Sequence, residues 1–371
     1  MMGTNAQSDV FFTDFRTTFT ENLLQKLARL VKAAGFDTID FSDKYVAIKM
    51  HFGEPGNLSF LRPNYAKVIV DMVKERGGKA FLTDANTLYV GGRKNALDHL
   101  DSAYANGFNP LVTGCQVIIA DGLKGTDDVS VPLPDGKYVK EAKIGRAVMD
   151  ADIVISLTHF KGHEQTGFGG ALKNLGMGCG SRAGKMEMHS AGKPEVNAEA
   201  CIGCRACSRV CAHGALSFPT KKAVLDTAKC VGCGRCIGVC PKDAIEPQYD
   251  AAFSVVQAKI AEYAAAVVRG RPAFHISLIC DVSPNCDCHA ENDAPIVPNI
   301  GMLASFDPVA LDQACIDLCL QSPRLTHNVL DDQPQTDDVF NDVHPTTDWR
   351  DAIAEGERMK LGTRHYRLRK I

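Results

Sequence analysis

No apolar run in the 371-residue sequence approaches the ~20 residues that a membrane helix requires, so no membrane partner is expected. The start of the chain, Met1-Met-Gly-Thr-Asn-Ala-Gln-Ser-Asp9, lacks the basic residues and apolar core of a signal peptide, and a cytoplasmic location is expected. Charge of neither sign prevails. Lys and Arg number 41 against 44 Asp and Glu, a net charge of −3 that supplies no field for a nucleic-acid partner. Nucleotide fingerprints are missing too: there is no G-x-G-x-x-G triplet, and Lys185 has no glycine at the Walker spacing before it. No flavin or nicotinamide site is evident.

What the chain has in quantity is cysteine, fifteen residues of it. In a reducing compartment that number points to metal and redox chemistry rather than disulfides. Eight fall in two runs, Cys201-Ile-Gly-Cys204-Arg-Ala-Cys207-Ser-Arg-Val-Cys211 and Cys230-Val-Gly-Cys233-Gly-Arg-Cys236-Ile-Gly-Val-Cys240. Each reads C-x2-C-x2-C-x3-C, a spacing that holds iron–sulfur clusters, with the fourth cysteine ligating the other cluster. Cys201, Cys204, Cys207 and Cys240 are therefore assigned to one [4Fe–4S] cluster, and Cys211, Cys230, Cys233 and Cys236 to a second. Zinc favours paired C-x2-C knuckles instead. Residues 196–249 resemble the two-cluster bacterial ferredoxins. One departure is Cys211-Ala212, where that family usually has Cys-Pro; the proline carries no metal-binding atom. Exposed cubanes are oxygen-sensitive, so an anaerobic host is expected.

Outside this region helix and strand patterns alternate. Helical spacing marks Thr20–Ala34, Asn64–Arg76, Ala252–Val268 and Pro308–Leu320. Apolar runs mark strands at Tyr45–Met50, Ala80–Leu82, Val117–Ala120, Asp152–Leu157 and Ala273–Ile279, with a helical stretch expected before each of Ala80–Leu82, Val117–Ala120 and Asp152–Leu157. The pattern predicts an α/β fold, a mainly parallel sheet with helices on both faces, interrupted by a small α+β ferredoxin-like two-cluster domain. The expected division is 1–195 and 250–371 for the α/β domain and 196–249 for the insert. Asp331–Asp348, acidic and proline-punctuated, reads as an extended surface segment. The basic Arg364–Lys370 reads as a solvated tail, with a docking patch for an acidic redox partner as the alternative.

Polar residues follow nearly every predicted strand: His51 and Glu54, Asp84 and Asn86, Asp121, then His159, Lys161 and His163, then Cys280 and Asp281. Ligands of open parallel sheets bind outside the carboxyl ends of the strands, so these groups are expected around one crevice. Aspartate and asparagine also serve as turn formers and caps. His159, Lys161 and His163 are the catalytic candidates, able to bind substrate or supply protons. The glycine-rich stretch 162–185 suits either anion cradling or a tightly packed backbone crossing. His163, Lys173, Lys185 and His189 are placed to serve a small anionic substrate. Cys280, Cys286 and Cys288, with His289 beside them, form a candidate further metal site for zinc, iron or part of a third cluster with Cys179. The alternative is a set of unliganded thiols. Cys179 itself reads as a buried thiol, a nucleophile or a ligand; Cys115, Cys315 and Cys319 read as core.

The series Lys49-Met-His-Phe-Gly-Glu54, Asp84-Ala-Asn-Thr-Leu-Tyr89, His159-Phe-Lys-Gly-His-Glu164 and Gly167-Phe-Gly-Gly-Ala-Leu-Lys-Asn-Leu-Gly-Met-Gly178 resembles the DUF362 family over essentially the whole chain. That resemblance implies an iron–sulfur protein of anaerobes, often fused to a ferredoxin module, with its substrate open. The expected function is a ferredoxin-dependent oxidoreductase whose two [4Fe–4S] clusters exchange electrons with a substrate or redox partner protein at the crevice. Two alternatives stand beside it: a non-catalytic electron carrier or assembly factor docking a redox partner, and a non-redox racemase or lyase with structural clusters.

Overall fold

Strand parity divides the core in two. Val46 and Ile48, Ile153, Ile155 and Leu157, and Phe274, Ile276 and Leu278 all project into one apolar cluster. Helices Leu23–Ala33 and Pro63–Glu75 cover it. Residues of the other parity, Val10, Val154, Ile279 and Leu303, enter a second cluster under helices Ala171–Cys179, Phe253–Val268 and Pro308–Leu320. A sheet buried on both faces needs such near-continuous apolar strands. This computed structural model describes residues 7–89, 91–190, 192–249 and 251–371. Met1–Ala6, part of the segment read above for a leader, lies outside them.

The main sheet has eight strands, in the order Tyr366–Lys370, Ser8–Asp14, Gly301–Ser305, Ala273–Ile279, Ile153–His159, Tyr45–Lys49, Lys79–Asp84 and Gln116–Ile119. Only Gly301–Ser305 runs antiparallel to its neighbours. The expected α/β class with a mainly parallel sheet holds. No helix among the described residues is long and apolar enough to cross a membrane.

Helix boundaries follow local chemistry. Asn22 caps Leu23–Ala33 through the backbone N–H groups of Leu24 and Gln25, and Gln25 answers in a capping box. Asp307 and Pro308 open Pro308–Leu320 as the sequence suggested. Helix Ala171–Cys179 starts at Gly170, which has no capping side chain. Asp312 of the neighbouring helix accepts from Ala171 N at 2.6 Å and Leu172 N at 2.9 Å in its place. Close packing explains the glycines here. A Cβ on Gly176 would lie 2.9 Å from the Ile260 carbonyl carbon, where this helix crosses Phe253–Val268. At Gly176 the glycine-rich stretch is thus the tightly packed backbone crossing that its sequence allowed.

Three expectations are corrected. Asp331–Asp348 is not an extended surface segment: it contains the short helix Val339–Val343, and buried Phe340 stacks edge-on against Phe160 at 5.9 Å. Arg364–Lys370 is not a solvated tail, because Tyr366–Lys370 forms the sheet edge parallel to Ser8–Asp14. Arg367 and Arg369 there pair with Asp9 at 2.7 and 3.2 Å and stay exposed on the sheet edge. The helical stretch expected just before Ile153–His159 is reduced to one turn, Arg146–Met149, behind an antiparallel hairpin of Asp128–Pro132 and Glu141–Gly145.

The cysteine-rich region leaves and rejoins the α/β fold through Pro194–Val196 and Ile245–Pro247, which pair with each other. Between them lie one small sheet, Leu216–Ser217 with Val224–Leu225, and two one-turn helices, Ala206–Arg209 and Arg235–Gly238. Its small core contains Cys201, Cys207, Cys236 and Ile237 and takes in Leu88 and Met186 from the α/β domain.

Candidate functional site

A cavity of about 370 Å³ opens at the carboxyl ends of the parallel strands. Tyr45–Lys49 contributes Lys49 to its wall and the loop after it His51, and Lys79–Asp84 contributes Asp84. Lys161 and His163 lie on a short hairpin strand paired with Gly167–Gly169. Lys173 and Asn174 come from the helix that Asp312 caps, and Lys185 and His189 from helix Arg182–His189. Cys286, Cys288 and His289 come from the loop after Ala273–Ile279, and Tyr249 from the end of the cysteine-rich region.

Ion pairs hold one wall. Lys49 Nζ lies 3.0 Å from Asp84 Oδ1 and donates to Asn174 Oδ1 at 2.8 Å. Burial pushes the Asp84 carboxyl up, but Lys49, His51, His99 and Arg93 together hold it well below the usual carboxylate range. Arg93 reaches Glu54 at 2.7 Å and the His51 ring at 2.8 Å. Burial, then the Arg93 charge, keeps His51 neutral well below its ordinary range. Burial lowers Lys185 to about 8 and His189 to about 3.

The candidates from sequence separate here. Lys161 and His163 line the cavity. His159 does not: it is the last residue of Ile153–His159, and both ring nitrogens are engaged behind the wall. Nδ1 meets the Asp287 carboxylate at 2.8 Å and Nε2 the Cys280 carbonyl oxygen at 2.7 Å. Both partners only accept, so the ring donates from both nitrogens. His159 is a positioning residue for Asp287, which also lies 3.4 Å from Lys161 Nζ. Burial works against the Asp287 charge, yet His159 and Lys161 hold this carboxyl well below its ordinary range.

The three loop cysteines also divide. Cys280 continues the parity of Ile276 and Leu278 into the opposite core, where burial pushes its thiol up to about 12. It is therefore not brought to Cys286 and Cys288. These two sit with His163, their donor atoms within 4.8 Å of one another; Glu164, Cys288 and His289 form a second such group. Lys173 Nζ donates to Cys286 Sγ at 3.2 Å. A hydrogen bond from Cys288, then the Lys173 and Lys161 charges, outweigh burial and hold Cys286 well below an ordinary thiol. Cys179 is fully buried, with its thiol pushed up to about 11 by burial, and fits the buried-thiol reading. Arg93, Asn174, Asp287 and Tyr249 were not singled out from the sequence. Asp287 had a signal in its place between two cysteines, and Tyr249 had none.

The eight paired-run cysteines line two further cavities. Cys201, Cys204, Cys207 and Cys240 line one; Cys211, Cys230, Cys233 and Cys236 line the other. Backbone N–H groups point at the sulfurs: Ala223 to Cys201 at 3.3 Å, Ala215 to Cys211 at 3.3 Å and Ala244 to Cys240 at 3.2 Å. Gly203 and Gly232 occupy the same place in the two runs with φ of 69° and 73°, a left-handed turn that glycine adopts without a Cβ clash. Leu88 packs in the core of this region, while it and its neighbour Tyr89 both line the strand-end cavity.

Residues 46–317 match the family described as Domain of unknown function (DUF362). A stretch of 128 residues is 29% identical to the thylakoid-associated protein sll1697 of Synechocystis sp., covering 34% of this chain and 35% of that protein. The match thus spans about a third of that relative's length. Among solved structures, the lactate racemase apoprotein from Thermoanaerobacterium thermosaccharolyticum aligns with a TM-score of 0.38 and 13% identity, over 74% of this chain and 51% of that one. A protein from Thermotoga maritima aligns with a TM-score of 0.37 and 14% identity, over 72% and 52%. Likeness at that level says nothing about ligand or reaction.

Proposed function

We propose, from the premise that this chain belongs to the DUF362 family, that it is an iron–sulfur protein exchanging electrons with a small anionic substrate in the strand-end crevice. The observation that carries this reading is the grouping of the eight cysteines into two cavities, three ligands from one run and the fourth from the other. Cys201, Cys204, Cys207 and Cys240 would hold one [4Fe–4S] cluster, and Cys211, Cys230, Cys233 and Cys236 the other. The donor chemistry fits: four cysteines per cavity, with backbone N–H groups turned to the sulfurs. When bound, such clusters supply single-electron transfer at potentials within a range of about −700 to +450 mV.

The chain's own residues do the rest. Lys161, Lys173 and Lys185 give the crevice a cationic lining for a carboxylate or phosphate, and His163 is placed to hold or move a proton. A crevice of this depth with convergent lysines and histidines supports an enzyme over a simple docking module. Residues 196–249 are the ferredoxin-like unit, set between 1–195 and 250–371 of the α/β domain. A redox partner protein would meet it on the outer face, where Cys204 and Ile202 are exposed. A cytoplasmic setting in an anaerobe completes the proposal.

Anaerobic reconstitution with iron and sulfide tests it. The expected result is iron and acid-labile sulfide for two cubanes, a reduced-state paramagnetic resonance signal, and saturable binding of small carboxylates or phosphates that Lys161→Ala weakens. Failure to load iron and sulfide would remove the proposal, and turnover in cluster-free protein would transfer it to the racemase or lyase alternative.

A further inference from the structure

Closed-shell substrates change by two electrons, whereas [4Fe–4S] clusters pass one at a time. We propose that Cys286 and Cys288 form a dithiol–disulfide couple in the crevice, and that its substrate is a small anionic disulfide. The proposal rests on the cluster reading for its source of electrons, but the couple itself can be measured without it.

Geometry selects thiol chemistry over a metal. The Gln165 backbone N–H donates to His163 Nδ1 at 3.1 Å. The ring hydrogen therefore sits on Nε2, 3.4 Å from Glu164 Oε1 and hydrogen-bonded toward Cys286. A metal would need the lone pair of that nitrogen, so His163 acts here as a donor to sulfur. Lys173 places an ammonium 3.2 Å from Cys286 Sγ, a position that favours a thiolate and opposes a dication. Cys286 is buried, while Cys288 is partly accessible and both face the cavity. Their sulfurs lie within 4.8 Å, and rotation about the side-chain bonds must bring them to the ~2.05 Å of a disulfide. Lys161, Lys173 and Lys185 in the same cavity suit a disulfide that carries carboxylates.

The Cys286 thiolate attacks one sulfur of the substrate, the substrate S–S bond breaks, and one thiolate leaves. Cys288 gives up its proton and attacks the Cys286 sulfur, forming the Cys286–Cys288 bond and expelling the second thiolate. The Cys288 proton and one from solvent end on the two released thiols. Two electrons and one proton restore the thiolate and thiol, the electrons drawn singly from the iron–sulfur clusters.

The test uses the full chain, reconstituted anaerobically and equilibrated with graded mixtures of reduced and oxidised glutathione, then alkylated and digested for mass spectrometry. The peptide containing Cys286 and Cys288 should convert in one two-electron transition from two alkylated thiols to a disulfide. Cys288→Ser should instead stop at a glutathione adduct on Cys286. Lys173→Met should slow that adduct most at the acid end of the pH range, because the ammonium 3.2 Å from the sulfur that favours the thiolate is gone; a rate–pH profile unchanged by this substitution would overturn the role given to Lys173. Oxidised glutathione should react faster than cystamine, a cationic disulfide. Two thiols that stay alkylatable in every mixture would overturn the couple, as would a bound metal that must be chelated before they react. Equal rates with the two disulfides would overturn the substrate class. If the peptide titrates but no cluster forms, the cluster reading falls and the couple stands. If clusters form but the peptide does not titrate, the couple falls and the cluster reading stands.

Discussion

Gly176→Ala puts the packing argument at risk with a single methyl group. Gly176 sits mid-helix, so alanine should stabilise the helix itself by about 1 kcal/mol. The crossing opposes this. The added Cβ would stand 2.9 Å from the Ile260 carbonyl carbon, closer still to its oxygen, and 3.0 Å from Ile260 Cγ2. Backbone cannot rotate away as a side chain can, so helix Phe253–Val268 must shift. Overpacking of this kind costs typically 1–3 kcal/mol, the upper end where backbone is struck, so after the helix gain the net loss expected is about 2 kcal/mol. At about 2 °C per kcal/mol for a chain of this size, the melting temperature should fall by about 4 °C. Thermal and urea unfolding followed by circular dichroism would measure it. An unchanged or higher melting temperature would refute the close crossing. Gly178→Ala, two residues on, serves as the contrast: its Cβ meets the end of the buried Lys49 side chain rather than backbone, so its cost should come through the displaced Lys49–Asp84 pair and not through a helix shift.

Other outcomes follow from the same geometry. Asp312→Ala removes the side-chain acceptor at the start of helix Ala171–Cys179 and should cost about 2–3 kcal/mol in urea unfolding; a loss under about 0.5 kcal/mol, the usual size for neutral surface changes, would deny it the capping role. Asp287→Asn breaks a buried pair with His159 and should destabilise by about 3–5 kcal/mol, with iron loading of surviving protein as the control that must not change. Asp84 and Asp287 have lowered carboxyl pKa values, so their stabilisation is complete above about pH 4 and is lost as pH falls toward their folded values; an acid titration by fluorescence reads it. Lys185 titrates near 8, so anion affinity measured by calorimetry should be full below that pH and fall above it, and Lys185→Met should flatten the profile.

Much of the fold was legible because parity and helical period are local properties. Ala273–Ile279 and Pro308–Leu320 have the bounds the sequence suggested. Composition misled at Tyr366-Arg-Leu-Arg-Lys370, where charge hid an alternation that turns Tyr366 and Leu368 toward the core. It misled again at Asp331–Asp348, where acidic residues hid the anchor Phe340. In the site, Lys161 and His163 were readable as groups after a strand. Cys280, grouped with Cys286 and Cys288 in the sequence, parts from them because it continues the strand into the core while they lie in the loop beyond. His159 was not readable in that way, since its partner Asp287 reaches it only through tertiary packing.

The neck of the cysteine-rich region has a consequence for how such a chain can arise. Val196 pairs with Ile245 and Pro194 with Pro247, so the outgoing and returning backbones lie side by side. Nothing in the eight-stranded sheet needs the fifty or so residues between them to close its own topology. A short hairpin turn across that pair would reconnect the two halves of the α/β fold without moving a strand. The region can therefore be gained, lost or exchanged in one event, and the crevice, none of whose lining residues lies between Val196 and Ile245, would keep its own set of side chains.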